Sequence, residues 1–158
     1  MEIVNVRIDE RLIHGQVAAL WTNKLGITRI VVVNNEIIKD QIQKMALKMA
    51  TPVGVKLSIL SVDTAVNNLK INKYEKDKIL LITKGPKEIF EVISKGIDIK
   101  EINVGNMSAK AGSKLVKSSI SVRKEDIEYF NKISQLGVRI TAQMVPTEEK
   151  INFMNLIK

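Results

Sequence analysis

Short apolar, β-branched segments alternate with segments of helical spacing along almost the whole chain, and this alternation limits the folds open to it. The patterns predict strands at 2–8, 28–34, 55–60, 78–83, 99–104, 119–122 and 138–143. Because helices of about ten residues or more separate most of these strands, right-handed βαβ crossovers and a mainly parallel central sheet with helices on both faces follow. We therefore predict an α/β fold in a single domain that spans residues 1–158.

Helical spacing predicts a helix after each of the first four strands, another at 125–136 and one at the carboxyl terminus. Residues 105–108 lack helical periodicity and predict a loop. Thr147 is predicted to cap the last helix, with Ile151, Met154 and Ile157 facing inward. The apolar positions of the second helix are Ile38, Ile42, Met45, Ala46 and Met49.

The residue types that are missing exclude several kinds of site. The chain has no cysteine, which removes disulfides, zinc–thiolate sites and thiol catalysis, and one histidine, which removes any multi-histidine metal site. We therefore expect neither a metal nor a cofactor. Uninterrupted apolar runs such as 30–33 and 79–82 are far shorter than the roughly 18 residues of a membrane span. Without a signal-peptide pattern at its start, the chain is predicted to be cytoplasmic.

A net charge of +8 is compatible with nucleic acid, an anionic membrane surface or an acidic protein as a partner. The lysines are scattered along the chain and aromatic residues make up only 4%, so a basic groove with stacking platforms is not supported. We predict a solvated, lysine-rich surface and no nucleic-acid partner. A contribution of this charge to partner docking stays open.

The only histidine, His14, lies between the first strand and the first helix. Ligands of α/β proteins bind at the carboxyl ends of parallel strands, and helix amino termini favour anions. The polar segments 34–35, 83–85 and 105–106 also follow strands, so they should lie at the same edge of the sheet. The sequence therefore predicts a small-anion site there.

Within this site, His14 is the candidate nucleophile, because a neutral imidazole can accept a phosphoryl group. Arg11 can bind phosphoryl oxygens with two charge-assisted bonds, and Asp9 can orient the imidazole or hold Arg11. Gly15 would let the backbone approach a phosphate closely. Ordinary roles stay open for all four: a surface or packing histidine, a surface arginine, a loop-forming aspartate and a turn glycine. The further candidates for phosphate binding are Gln16, Arg7, Asn34, Lys84 and Asn106.

Three motifs of other enzymes are absent from the sequence. It contains no glycine-rich dinucleotide fingerprint, no phosphate-loop motif and no serine of the nucleophile-elbow type. This argues against a nucleotide-binding protein or a hydrolase of these classes.

Residues 7–17, Arg-Ile-Asp-Glu-Arg-Leu-Ile-His-Gly-Gln-Val, closely resemble the active-site loop of the B component (IIB) of mannose/fructose/sorbose-family sugar phosphotransferase systems. Segments 30–35, 52–56, 103–107 and 143–147 also look like that family, so the resemblance covers essentially the whole chain. Two departures are visible. The family commonly has two aspartates where this chain has Asp9-Glu10, and Asn-Asp where it has Asn34-Asn35, which puts a role for Asn35 in doubt.

The resemblance implies that this is a cytoplasmic phosphocarrier. His14 would receive a phosphoryl group on Nδ1 from a phosphohistidine of the A component and pass it to a sugar held by the membrane components C and D. Arg11 and Asp9 match the positions that contact the phosphoryl group and support the loop. The activity would be that of a protein-phosphohistidine–sugar phosphotransferase, recruited to the inner membrane face by its partners. The alternative function left open is a non-enzymatic α/β module that binds an anion or a regulatory protein. A homodimer is possible with either function.

Overall fold

A computed structural model describes residues 2–158, which form a central sheet of seven strands covered by five α-helices. The sixth and seventh strands of the chain form a separate antiparallel pair. The strands are β1 Glu2–Asp9, β2 Arg29–Val33, β3 Lys56–Leu60, β4 Lys78–Thr83, β5 Glu101–Asn106, β6 Lys114–Lys117, β7 Ile120–Val122, β8 Arg139–Ala142 and β9 Ile151–Asn152. The helices are α1 Gly15–Leu25, α2 Gln41–Ala50, α3 Val62–Lys70, α4 Pro86–Ser94 and α5 Lys124–Gln135. Short 3-10 helices span Ile37–Lys39 and Phe153–Leu156.

The sheet order is β3-β2-β4-β1-β5-β8-β9, and every pairing in it is parallel except that of β8 with β9. The predicted mainly parallel α/β architecture is therefore confirmed. Because β1 pairs with β4 on one side and with β5 on the other, the carboxyl ends of these three strands lie side by side. The loop that carries His14 leaves from the middle of this edge.

Two hydrophobic cores lie on opposite faces of the sheet, as helices on both faces require. Side chains of α3, α4 and α5 pack over one face, together with Val31 and Leu81. Side chains of α1 and α2 pack over the other, together with Ile30 and Leu80. Successive strand residues point to opposite faces, so near-continuous apolar runs such as Arg29–Val33 supply both cores at once.

Helix α2 forms, but the apolar residues whose spacing predicts it do not mark its buried face. Ile42, Met45 and Met49 are 81%, 64% and 85% exposed, and the buried residue of the helix is Leu47. The helix also begins later than Ile38, because Asp40 accepts hydrogen bonds from the backbone of Ile42 and Gln43 and caps the amino terminus.

Two predictions for the second half of the chain are wrong. Gly105 and Asn106 do not start a loop but belong to β5, and Met107 bridges to Ile120, because this segment pairs with its neighbours in the sheet. Thr147 does not cap a carboxyl-terminal helix. Ile151 and the next residue instead form β9, which pairs antiparallel with β8.

A 3-10 helix follows, and Asn152 caps it. Phe153, the first residue of this helix, is fully buried. The open edge of the sheet provides hydrogen-bond partners for the backbone N–H and C=O groups of β9. The periodicity of the sequence carries no information about such a pairing. Among residues 2–158, no helix is long and apolar enough to cross a membrane.

Candidate active site

The loop between β1 and α1 presents His14 to solvent because its two preceding residues are buried. Leu12 and Ile13 are each 4% exposed and pack in the core under α1 and α2, whereas His14 is exposed. Leu12 adopts a φ of 62°, a left-handed conformation that costs a residue with a Cβ about 1–2 kcal/mol. Burial of the two apolar side chains offsets this strain. The loop sequence itself therefore turns the only histidine outward.

His14 is also the residue that caps α1. Its carbonyl accepts the Ala18 N–H at 3.1 Å, its side chain makes no capping bond, and the first turn of the helix has no acidic residue. The backbone N–H groups of Gly15, Gln16 and Val17 therefore have no acceptor within the helix. A Cβ added to Gly15 would meet no atom within 4 Å, so the space beside this turn is open. An anion next to His14 would face free amides and the positive end of the helix dipole.

Arg11 is held by Asp9 through both carboxylate oxygens. Its Nε donates to Oδ1 and its Nη2 donates to Oδ2, each at 3.1 Å, and its backbone N–H also donates to Oδ1, at 3.0 Å. Asp9 is only 1% exposed, while the Arg11 side chain is 29% exposed. Within residues 2–158, Arg11 Nη1 has no acceptor, so it is free to bind a phosphoryl oxygen. The loop-forming role of Asp9 and its role in holding Arg11 are thus both observed.

Arg7 lies inside the protein rather than on the phosphate-facing surface where the sequence had placed it. It is 2% exposed, and its Cζ lies 5.0 Å from the centre of the Trp21 ring. Its Nη1 donates to Asn103 Oδ1 at 2.9 Å and to the Gln143 carbonyl at 3.0 Å. Nη2 donates to the carbonyl of Met144 at 2.8 Å and lies 3.4 Å from Asp9 Oδ2. Both terminal nitrogens of the guanidinium therefore bind protein acceptors, and one of them holds Asp9 from the core side.

Burial determines the acid–base behaviour of Arg7. Loss of hydration lowers the pKa of its guanidinium to about 10, and the carboxylate of Asp9 partly opposes this shift. At neutral pH the group stays charged. A buried arginine, a buried carboxylate and a half-buried arginine therefore form a continuous chain, Arg7–Asp9–Arg11, that leads from the core to the surface beside His14.

Sequence reasoning missed the residues that surround Arg7. Asn103 lies in β5 and Gln143 directly follows β8, and the indole N–H of Trp21 donates to the Met144 carbonyl at 3.0 Å. A Cβ on Gly105 would lie 2.0 Å from Arg7 Nη2, so only glycine leaves room for the guanidinium. The sequence did contain a signal for them, because polar residues occur inside or directly after apolar strands. A buried amide there needs a hydrogen-bond partner, so such residues indicate a buried polar cluster.

The remaining candidates are divided between structural and surface positions. Asn34 is 7% exposed, and its Oδ1 accepts the N–H groups of Glu36 and Ile37, each at 2.9 Å, which gives it a structural role in this turn. The Asn106 carbonyl accepts the Glu10 N–H at 3.0 Å, while its buried side-chain Oδ1 has no partner among residues 2–158. Lys84 and Arg11 both line a cavity of about 210 Å³, which also includes Leu12 and Ile13 of the loop before His14.

Glu10 connects the loop at residues 108–110 to the loop that carries His14, because it forms an ion pair with Lys110. Burial by itself would raise the pKa of Glu10, but hydrogen bonds from Lys110 and Ser108 outweigh it and lower the pKa below its usual value. A glutamate here, one methylene longer than aspartate, reaches the 108–110 loop.

Comparison with known proteins agrees with this architecture. The family model described as "PTS system sorbose subfamily IIB component" matches residues 3–158. The sorbose-specific EIIB component of Lacticaseibacillus casei is 34% identical over 148 residues, which cover 94% of this chain and 90% of that protein. The mannose-specific EIIAB component of Escherichia coli K12 is 34% identical over 157 residues, 99% of this chain, and the chain spans only 49% of that protein's length.

The crystal structure of the IIB domain of the sorbose permease from Klebsiella pneumoniae superposes with a TM-score of 0.95 at 28% identity, covering 99% of this chain and 96% of that one. The family match extends over nearly every residue, and the fold closely matches that of the solved IIB domain. The chain belongs to the sorbose subfamily of IIB components, the phosphocarrier domains of sugar phosphotransferase systems.

Proposed function

We propose that His14 is the phosphoryl carrier and that its Nδ1 is the atom that bears the phosphate. The observation that carries this proposal is an exposed imidazole at the free amide end of α1, in the same loop as the Arg11–Asp9 fork. Nδ1 attacks the phosphorus of a phosphohistidine on the A component, and the phosphorus–nitrogen bond of the donor breaks. A sugar hydroxyl oxygen then attacks the same phosphorus, the bond between phosphorus and Nδ1 breaks, and the hydroxyl proton passes to the departing ring, so His14 leaves as neutral imidazole.

The surrounding groups stabilise charge in both transfers. Phosphoryl transfer proceeds through a loose transition state whose equatorial oxygens carry the charge, so positioned donors contribute more than covalent chemistry. Arg11 Nη1 and the amides of Gly15 and Gln16 are suited to bind those oxygens. Lys84 adds positive charge to the cavity that Arg11 lines. Asp9 fixes Arg11, and Arg7 in turn fixes Asp9 from the core.

The partners follow from the family. We propose that the A component is the donor, that the C and D components of the membrane hold the sugar, and that they bring this cytoplasmic chain to the inner face of the membrane. The fused A and B parts in the name of the E. coli relative support the first of these partners. The activity proposed is that of a protein-phosphohistidine–sugar phosphotransferase. No observation favours the alternative of a non-enzymatic regulatory module.

The test is phosphorylation by phosphoenolpyruvate through the general phosphotransfer proteins and the A component. Because the chain has one histidine, a phosphohistidine found in it can only be at position 14. We expect the His14→Ala variant to lose all of this label. The control is Lys73→Ala, which changes an exposed residue in the turn after α3 and should keep the label. Label that survives in His14→Ala would refute the assignment.

A further inference from the structure

An apolar ridge projects into solvent from α2 and from the turn that follows it. The ridge consists of Ile42, Met45, Met49 and Val53, which are 81%, 64%, 85% and 104% exposed. Helical spacing places the first three on one face, opposite the buried Leu47. Neighbouring large apolar side chains that are mostly exposed to water are typical of surfaces that bind another molecule or a membrane.

A groove runs beside the ridge, between α2 and the edge strand β3. It has a volume of about 650 Å³ and combines apolar wall residues such as Val55 and Leu57 with the ammonium groups of Lys44 and Lys48. Residues 37–60 contain four lysines and one carboxylate, Asp40, which is occupied in capping α2. The ridge and groove are therefore an apolar surface with a positive flank.

The opposite flank of α2 adjoins the candidate active site. Gln43, Ala46 and Leu47 line the cavity of about 210 Å³ whose other walls include Arg11 and Lys84. Whatever covers the ridge thus lies next to the loop that carries His14.

We propose that the ridge and groove dock this chain on an anionic phospholipid bilayer. The side chains of the ridge would enter the boundary between headgroups and acyl chains, and Lys44 and Lys48 would pair with lipid phosphates, which is how amphipathic helices with a basic flank bind membranes. A second copy of this chain is a poorer occupant, because a two-fold axis through the ridge would bring the same lysines together. This inference rests on the proposed function, since it brings His14 to the surface where the sugar-bearing components reside.

The experiment uses the full chain and vesicles of phosphatidylcholine with or without about one-third phosphatidylglycerol, with flotation as the readout. We expect binding only to the anionic vesicles, weakened by salt because the contact is partly electrostatic. Met45→Ser with Met49→Ser should reduce the partition coefficient at least tenfold. Each of Lys44→Ser and Lys48→Ser should reduce it roughly fivefold.

Two matched controls separate this surface from net charge and general hydrophobicity. The first control, Leu136→Ser, removes an exposed apolar side chain away from the ridge; Leu136 is 55% exposed and follows α5. Lys73→Ser with Lys76→Ser removes two exposed charges from the turn after α3. Both controls should bind vesicles nearly as well as the unchanged chain, and circular dichroism should show every variant folded.

Three outcomes would overturn the proposal: no binding of the unchanged chain to anionic vesicles, equal losses in the lysine controls, or ridge variants that bind vesicles normally but lose affinity for the A component. Phosphorylation of His14 in vesicle-free solution is measured in parallel. If His14 accepts phosphate and vesicles do not bind, only this inference fails. If vesicles bind and His14 takes no phosphate, only the proposed function fails.

Discussion

Replacing Gly105 with alanine tests whether the buried Arg7 holds the site together. The added Cβ would lie 2.0 Å from Arg7 Nη2, 2.3 Å from Cζ and 2.6 Å from Nη1. Since heavy atoms pack best at about 3.5 Å, the guanidinium has to retreat by about 1.5 Å. Its four acceptors are Asn103 Oδ1, Asp9 Oδ2 and the carbonyls of Gln143 and Met144.

The expected cost follows from the hydrogen bonds that such a retreat breaks. A hydrogen bond to a charged group contributes about 1.5–3 kcal/mol, so the loss of two of the four lowers the free energy of unfolding by about 3–6 kcal/mol. That is a large part of the roughly 5–15 kcal/mol that stabilises a typical domain. The rate of His14 phosphorylation should fall as well, because Asp9 and Arg11 lose their support from the core.

Urea unfolding followed by circular dichroism measures the change in stability. Gly85→Ala is the matched control, because Gly85 has an extended backbone and its added Cβ meets no atom within 4 Å, so its cost should be below about 1 kcal/mol. In an Arg7→Met background, Gly105→Ala should also cost less than about 1 kcal/mol, since the obstructed group is gone. Equal stabilities of Gly105→Ala and Gly85→Ala, or the same cost of Gly105→Ala in both backgrounds, would refute the reasoning.

Three further changes test other parts of the structure. Arg11→Lys removes the two-pronged contact with Asp9 and should slow His14 phosphorylation roughly 30- to 100-fold with little change in unfolding free energy; an unchanged rate would exclude Arg11 from the reaction. Ile13→Ala, in the buried part of the loop, should cost about 2–4 kcal/mol by urea unfolding, and a cost below 1 kcal/mol would show that the loop is not anchored there. Burial raises the pKa of Glu88, so its contribution to stability is fully present below the unfolded value of 4.5 and is lost as pH rises through the folded value. Glu88→Gln should therefore raise the melting temperature relative to the unchanged chain at pH 7 and not at pH 4, and the reverse order would contradict this sign.

Sequence periodicity located most of the fold because each pattern has a local physical cause. The run at 30–33 is apolar on both faces of a strand, and Gly26 can adopt the left-handed conformation, φ 66°, that ends α1. The pair at β9 was missed because a two-residue antiparallel strand exists only through the edge it joins. The exposed face of α2 was missed for a similar reason: periodicity shows that an apolar stripe exists, but not which surface covers it.

The sequence alone determined that one histidine follows a strand and precedes a helix, because both patterns and the single imidazole are local features of the chain. Only the tertiary structure decided that Arg7 is a buried support and Arg11 the surface arginine. Arg7 is placed by residues of β5 and of the segment that follows β8, 96 to 137 positions away, and by the space that Gly105 leaves. A buried cation is stable only where distant strands bring enough acceptors together, and that condition depends on how the sheet is ordered.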